Sequence, residues 1–167
     1  MSILFVTTMI DVFLLLGSNL GTRQAFLEKA IAYIEVDIAP VVEKSSIYET
    51  QSWGKTDEPD YLNQVVQLKT KLTPLVILQK ILNIESVLGR KREQKWGSRI
   101  IDIDILFYDS AIISEPGLTI PHPELHKRRF TLAPLSEIVP DFIHPVFNKS
   151  IFQLKSELKD NLIVKKL

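Results

Sequence analysis

Apolar positions along this chain switch between continuous runs, alternation and helical spacing, and the switches set out an order of elements. Val12 to Gly17, VFLLLG, is a short apolar run stopping at a Gly-Ser-Asn turn, the pattern of a buried strand. From Thr22 to about Glu35, Phe26, Leu27, Ala30, Ile31 and Ile34 recur at helical spacing, with Thr22 placed to cap. VVEKSSIYET reads as a β-branched strand, QSWGKTDEPD as a loop rich in turn formers, and YLNQVVQLKT as a further strand. A second helix opens at Thr73 and Pro74, carries Leu75, Leu78, Ile81, Leu82, Glu85 and Leu88, and stops at Gly89. A basic loop, RKREQKWGS, leads into the strand RIIDIDILFYD. Alternation there predicts Ile101, Ile103, Ile105 and Phe107 on one face and Asp102, Asp104 and Leu106 on the other. Beyond Asp109 the chain is punctuated by prolines interleaved with apolar residues, which predicts ordered loops and short elements. Ser150 and Gln153 form a capping box for a last helix carrying Ile151, Leu154 and Leu158.

The predicted order is strand, helix, strand, strand, helix, strand, then a loop-rich C-terminal part. It suits an α+β fold, a ferredoxin-like two-layer sandwich with helices packed on a mostly antiparallel sheet. A doubly wound parallel fold fits less well, because no helix separates the second and third strands. A length of 167 residues fits one domain, 1–167, in which residues 1–8 form an optional extension before Met9. The apolar stretch at residues 3–16 is too short for a membrane span and carries Asp11, and no basic region or cleavage site marks a signal peptide.

Composition narrows the chemistry. Lys plus Arg and Asp plus Glu each number 20, so the chain has no general attraction for nucleic acid or anionic membrane, and any basic site must be local. The absence of cysteine excludes disulfides, thiolate catalysis and cysteine-ligated metals, and fits a cytoplasmic location. A monomer with small-molecule substrates is expected.

Asp102 and Asp104 are the anomaly in this picture. Two apart on a strand, they share a face at roughly 6.5 Å along the chain. Burying an unpaired carboxylate costs several kcal/mol, so a cation is expected before them. Hard oxygen ligands suit Mg²⁺, which commonly takes one or two carboxylates plus phosphate oxygens and water. Arg90, Lys91, Arg92, Lys95 and Arg99 lie just upstream, and guanidinium forks match phosphate oxygens. From spacing alone, a solvated Asp pair or one held by structural arginines is as good a reading. Gly17 to Gly21, GSNLG, fits a tight strand-helix turn better than an anion nest, since it lacks the lysine and spacing of a P-loop. Tyr61 and Asn63 share a face where a strand begins, a ring and a carboxamide suited to a flat heterocycle, or equally to core and turn. His122 in TIPHPEL and the cluster KRRF, Lys127 to Phe130, are weaker alone.

Together these residues resemble a known family. KWGSRIIDIDIL, Lys95 to Leu106, is similar at every position to the signature of 6-hydroxymethyl-7,8-dihydropterin pyrophosphokinases. LLGSNLG, SSIYET, DEPDYLNQVV, IESVLGRKR and LTIPHPELHKRRF resemble further blocks of that family in the same order, from about Asp11 to Phe147. The resemblance implies transfer of pyrophosphate from ATP to the pterin hydroxymethyl group, with release of AMP, in folate biosynthesis. It implies two Mg²⁺ held by Asp102 and Asp104, and a pterin ring between Tyr61 and Phe130, with Thr50 and Asn63 at its edge and Trp53 in the adjoining loop. It further implies ATP contacts from Glu85, Thr119, His122, Arg128 and the Ile105 backbone, and Arg90, Arg92 and Arg99 closing over phosphates. The two loops flanking this site are expected to close on the substrates. The sequence departs from the family pattern at Trp53, an aliphatic in many members, at Gly117, commonly an arginine, and at Pro123, commonly an aromatic. Two readings of other classes remain beside it: another two-metal nucleotide phosphotransferase, and a non-catalytic ferredoxin-like nucleotide- or RNA-binding module.

Overall fold

The structure, a computed structural model, describes residues 5–51, 58–91 and 99–167. β1 (Phe5–Ser18) leads to α1 (Arg23–Asp37), β2 (Val41–Lys44), β3 (Tyr48–Thr50), β4 (Tyr61–Leu72), α2 (Pro74–Val87) and β5 (Asp102–Tyr108). A hairpin of β6 (Ile113–Glu115) and β7 (Leu118–Ile120) follows, then a 3-10 turn at Leu125–Lys127, α3 (Arg129–Ile138), α4 (Ile151–Ser156) and β8 (Val164–Lys166). The main sheet runs β5-β1-β4-β3-β8, with β2 also on β4, and its pairings are antiparallel. Each crossover through α1 or α2 skips a strand, so both helices return to the same face, as in the expected ferredoxin-like arrangement.

That helical face holds the larger core. Val12, Leu14, Leu16, Val66, Leu68, Ile103 and Ile105 meet Leu27, Ala30 and Ile34 of α1 and Ile77, Ile81 and Ile84 of α2. The buried stripe of α2 is therefore rotated from the one read in the sequence: Leu75 and Leu82 are exposed, and Ile77 and Ile84 take the core positions. Because α2 is apolar nearly all round, periodicity alone left its inward face ambiguous. Thr22 and Thr73 occupy N-cap positions but accept no capping hydrogen bond, whereas the Ser150–Gln153 capping box is formed in both directions. Among the described residues no helix is long and apolar enough to cross a membrane.

Among the described residues, the opposite face is covered at one end only. There Phe13, Leu15, Val65, Leu106 and Phe107 pack against Leu132 and Leu135 of α3 and Ile151 and Leu154 of α4. The loop-rich C-terminal part thus adds a second core to the expected sandwich. Phe107 joins this core rather than lying with Ile105, contrary to strict alternation. The β1–β5 register shifts between Phe13, opposite Phe107, and Leu14, opposite Ile105, so Leu106 is the extra residue of a bulge. The predicted single strand at residues 41–50 is likewise two. At the break the Ser45 hydroxyl accepts from Val65 N (3.0 Å), standing in for a backbone rung.

Candidate active site

The other end of that second face carries the chemistry. Gly17 on β1 pairs with Asp102 of β5 on one side and Asn63 of β4 on the other, and Asn63 pairs onward with Tyr48 of β3. Two residues along, Tyr61 pairs with Thr50 and Leu15 with Asp104. Directly paired residues point the same way, so Thr50, Tyr61, Asn63, Asp102 and Asp104 share one surface. Gly17 is required there for space: a Cβ on it would lie 2.9 Å from Asn63 Oδ1. The carboxamide occupies the volume that a side chain on β1 would take.

Asp102 is bracketed by two arginines. Arg90 reaches its Oδ1 at 2.7 Å and Arg99 its Oδ2 at 2.5 Å. Arg90 is in turn held by Glu85 at 2.5 Å, and Glu85, 2% exposed, accepts a hydrogen bond from Ile103 N at 2.8 Å. β5 is the edge of the sheet, so Glu85 satisfies an edge amide that no strand can pair. The residue expected against the nucleotide therefore sits beneath Asp102 as the anchor of Arg90. Asp104 is pushed up to about 7 by burial and by the neighbouring charges of Asp102 and Glu85, against the opposing pull of Arg128 and Arg99. Among the described residues, none donates a hydrogen bond to Asp104. Two adjacent carboxylates, with the Asp104 pKa raised by burial and by its neighbours' charge, make a place that a divalent cation would relieve.

A cavity of 1250 Å³ opens in front of this surface. Its walls include Asp102, Asp104 and Arg99 together with Thr50, Tyr61, Asn63, Arg128 and Phe130. Among the described residues Thr50 Oγ1 is buried with no hydrogen-bond partner, an orphaned group on the wall of a cavity. Arg128 lies over the Phe130 ring at 5.6 Å. Glu137 of α3 ties this wall to β3, accepting from Tyr48 OH at 2.6 Å, Ser46 Oγ at 2.9 Å and Ser46 N at 3.0 Å.

Other residues singled out in the sequence lie apart from that cavity. Thr119 is exposed on β7, and the Ile105 side chain is in the helical core. His122 stands near enough to Arg128 and Asp102 to feel both; burial first, then Arg128, holds it below the usual histidine range. Pro116 and Gly117 turn the β6–β7 hairpin, with Gly117 at φ +77°, a conformation an arginine would adopt only under strain. Trp53, Arg92 and most of the two flanking loops lie outside the described residues.

One buried polar residue was missed as a site component. Asn19 accepts from Arg99 N through Oδ1 (2.7 Å), donates its own N–H to Arg99 O (3.0 Å), and donates through Nδ2 to Pro59 O (3.3 Å). It pins the end of each flanking loop to the GSN turn. An asparagine in a Gly-Ser-Asn turn reads as ordinary turn chemistry, so only the fully buried environment separates it from a surface turn.

Comparison with known proteins adds an independent line. Residues 13–140 match the family model described as 7,8-dihydro-6-hydroxymethylpterin-pyrophosphokinase (HPPK). The chain belongs to the HPPK family. A curated member from Aquifex aeolicus, named 2-amino-4-hydroxy-6-hydroxymethyldihydropteridine pyrophosphokinase, is 42% identical over 149 residues, 89% of this chain and 92% of the relative. A Haemophilus influenzae protein of the same name is 38% identical over 158 residues, 94% of this chain and 98% of the relative. Among solved structures, wild-type Plasmodium falciparum HPPK-DHPS with STZ-DHP superposes with a TM-score of 0.74 at 20% identity, over 89% of this chain. This chain spans 43% of that longer protein, and the likeness concerns the fold alone. The span matching the HPPK model includes every site residue from Gly17 to Phe130 and stops before α4 and β8.

Proposed function

We propose that this chain is an ATP-dependent pyrophosphokinase that transfers pyrophosphate from ATP to 6-hydroxymethyl-7,8-dihydropterin, releasing AMP, in folate biosynthesis. Membership of the HPPK family supports the reaction. The observation that carries the assignment of residues is the single cavity joining two surfaces. One is the carboxylate pair with Arg99; the other carries the rings of Tyr61 and Phe130 and the Thr50 hydroxyl, which has no hydrogen-bond partner among the described residues.

The pterin ring stacks between Tyr61 and Phe130, and its polar edge meets Asn63 and Thr50, each 4% exposed or less. Its hydroxymethyl group then faces Asp102 and Asp104. The hydroxymethyl oxygen attacks the β-phosphorus of ATP. A C–O–Pβ linkage forms, the bond from Pβ to the α,β-bridging oxygen breaks, and AMP departs with that oxygen while the hydroxyl proton is lost to solvent. Asp102 and Asp104 would hold two Mg²⁺, which, when bound, supply charge neutralisation for the phosphates and acidify the hydroxyl. Among the described residues no cluster of three potential ligands is found, so two carboxylates, phosphate oxygens and water would make up the coordination.

The chain's own residues do the rest. Glu85 keeps Arg90 in register with Asp102, and Arg99 holds the other carboxylate oxygen, so the pair is aimed before substrates arrive. As phosphates enter, Arg99 on the cavity wall would face their negative charge. His122, its pKa lowered first by burial and then by Arg128, and Arg128 itself flank the nucleotide side. The test is incubation with Mg-ATP and 6-hydroxymethyl-7,8-dihydropterin, followed by separation of nucleotides, with Asp102→Ala and Asp104→Ala alongside. AMP formed only with pterin, only with Mg²⁺ and only by the unmutated chain is expected. ADP in place of AMP would overturn the assignment of the broken bond.

A further inference from the structure

The slot for the pterin has two walls from distant parts of the chain, and one short segment fastens both. On one side, Phe130 and Arg128 stand at the start of α3. The helix has no capping side chain of its own, since Arg128 at the N-cap makes no such bond. Its first amide, Arg129 N, donates instead to Asp160 Oδ2 at 3.0 Å, from 31 residues further along. The Arg129 guanidinium closes the same contact, donating to Asp160 O from Nη2 at 3.0 Å and from Nε at 3.2 Å. The other carboxylate oxygen, Asp160 Oδ1, accepts from Leu162 N at 2.8 Å. Two residues on, β8 pairs with β3, placing Val164 opposite Thr50, and Gln51 N donates to Ile163 O at 3.5 Å. Asp160, Asn161 and Leu162 line the same cavity as Thr50 and Phe130.

We infer that Asp160 is a positioning residue for the pterin: its carboxylate sets the start of α3, and hence the Phe130 ring, against the wall carried by β3. The carboxylate works as a long-range N-cap, satisfying a helix amide that nothing local reaches and favourably placed toward the positive end of the helix dipole. Its second oxygen fixes the turn into β8, so the spacing between ring and Thr50 is held through residues 160–164 and not only through the sheet. Among the described residues no hydrogen bond or ion pair joins this segment to Asp102, Asp104 or His122, and of the nucleotide-side residues only Arg128, beside Arg129, adjoins it. Loss of Asp160 should therefore weaken pterin binding more than nucleotide binding.

This inference rests on the pterin slot proposed above, and the experiment distinguishes failure of one from failure of the other. Kd for 6-hydroxymethylpterin at saturating Mg-α,β-methylene-ATP, Kd for that nucleotide alone, KM and kcat are measured for the unmutated chain, D160A, D160N and F130A. D160A is expected to weaken pterin binding about five- to tenfold, the worth of a helix cap, with a smaller loss of nucleotide affinity through Arg128 and kcat within about twofold. D160N keeps one carbonyl-type acceptor for one of the two amides and should lie between, and it provides the reading should D160A not fold. F130A should weaken pterin binding more than either. Equal losses for nucleotide and pterin in the Asp160 variants would make the residue merely structural and overturn the inference. Unchanged pterin binding in D160A with a loss in F130A would overturn it and leave the slot standing. Unchanged pterin binding in F130A would overturn the slot and the inference with it.

Discussion

Gly17→Ala is a one-carbon perturbation whose consequence can be worked through. The added Cβ would lie 2.9 Å from Asn63 Oδ1, where ordinary contacts begin near 3.4 Å, and no other described atom comes closer than Leu62 O at 4.0 Å. The backbone of β1 thus tolerates alanine, and the strain falls on one carboxamide. Asn63 is 4% exposed, so it has little room to yield except by rotating away from its ligand-facing position. A carboxamide can make two hydrogen bonds to a pterin edge, each worth about 0.5–1.5 kcal/mol net. Losing both costs about 1–3 kcal/mol, or about five- to 150-fold in pterin affinity. Asp102, paired with Gly17 on the other side, is untouched by the new methyl, so nucleotide affinity should hold within about twofold. Calorimetric titration of both ligands reads the two effects separately, with Asn63→Ala as the reference loss. Unchanged pterin affinity in Gly17→Ala, with Asn63→Ala impaired, would refute the packing argument. Unchanged affinity in both would remove Asn63 from the site.

Three further outcomes are expected. Asp104→Asn should lower turnover by about a thousandfold, the scale of losing metal-borne charge stabilisation, while pterin binding persists; an active variant would contradict the role given to the pair. Glu85→Gln keeps an acceptor for Ile103 N but leaves Arg90 with one carboxylate in place of two. Thermal unfolding should report about 2–3 kcal/mol less stability, and a midpoint within about 2 °C of the parent would count against the anchor. His144 is 2% exposed, its Nδ1 accepts from Val146 N and Phe147 N, and burial, then the nearby His126, push it down to about 4. The unfolded chain takes up that proton near pH 6.5, so the stability is present above 6.5 and is eroded as pH falls toward 4, by up to about 3 kcal/mol. His144→Asn should flatten this slope in a series of unfolding midpoints, and an identical slope would contradict the assignment.

Features that depend on near neighbours in the chain were readable in advance. The apolar run of β1, the stripe of α1 and the Ser150 capping box depend on residues a few positions apart, and each formed as read. The alternation of β5 was readable up to Ile105, because nothing local announces that β1 will oppose Leu14 with Ile105 and Phe13 with Phe107. The bulge belongs to the pairing of two strands. The same reason hid the role of Glu85: a carboxylate on an apolar helix is visible, but its bond to an edge amide exists only once α2 lies behind β5. Asp102 and Asp104 stood out because two carboxylates in an apolar strand defy burial, and the family blocks then supplied the partners. Asp160 carried no such signal, since an aspartate in a polar C-terminal stretch is unremarkable until the chain brings it to Arg129.

The measurement closest to the central claim is a crystal structure of this chain with Mg²⁺, α,β-methylene-ATP and 6-hydroxymethylpterin bound together. The pterin is expected between Tyr61 and Phe130 with its edge on Asn63 and Thr50, both metals on Asp102 and Asp104, and the hydroxymethyl oxygen facing the β-phosphorus. A pterin lodged elsewhere in the cavity, or metals held without those two carboxylates, would contradict it.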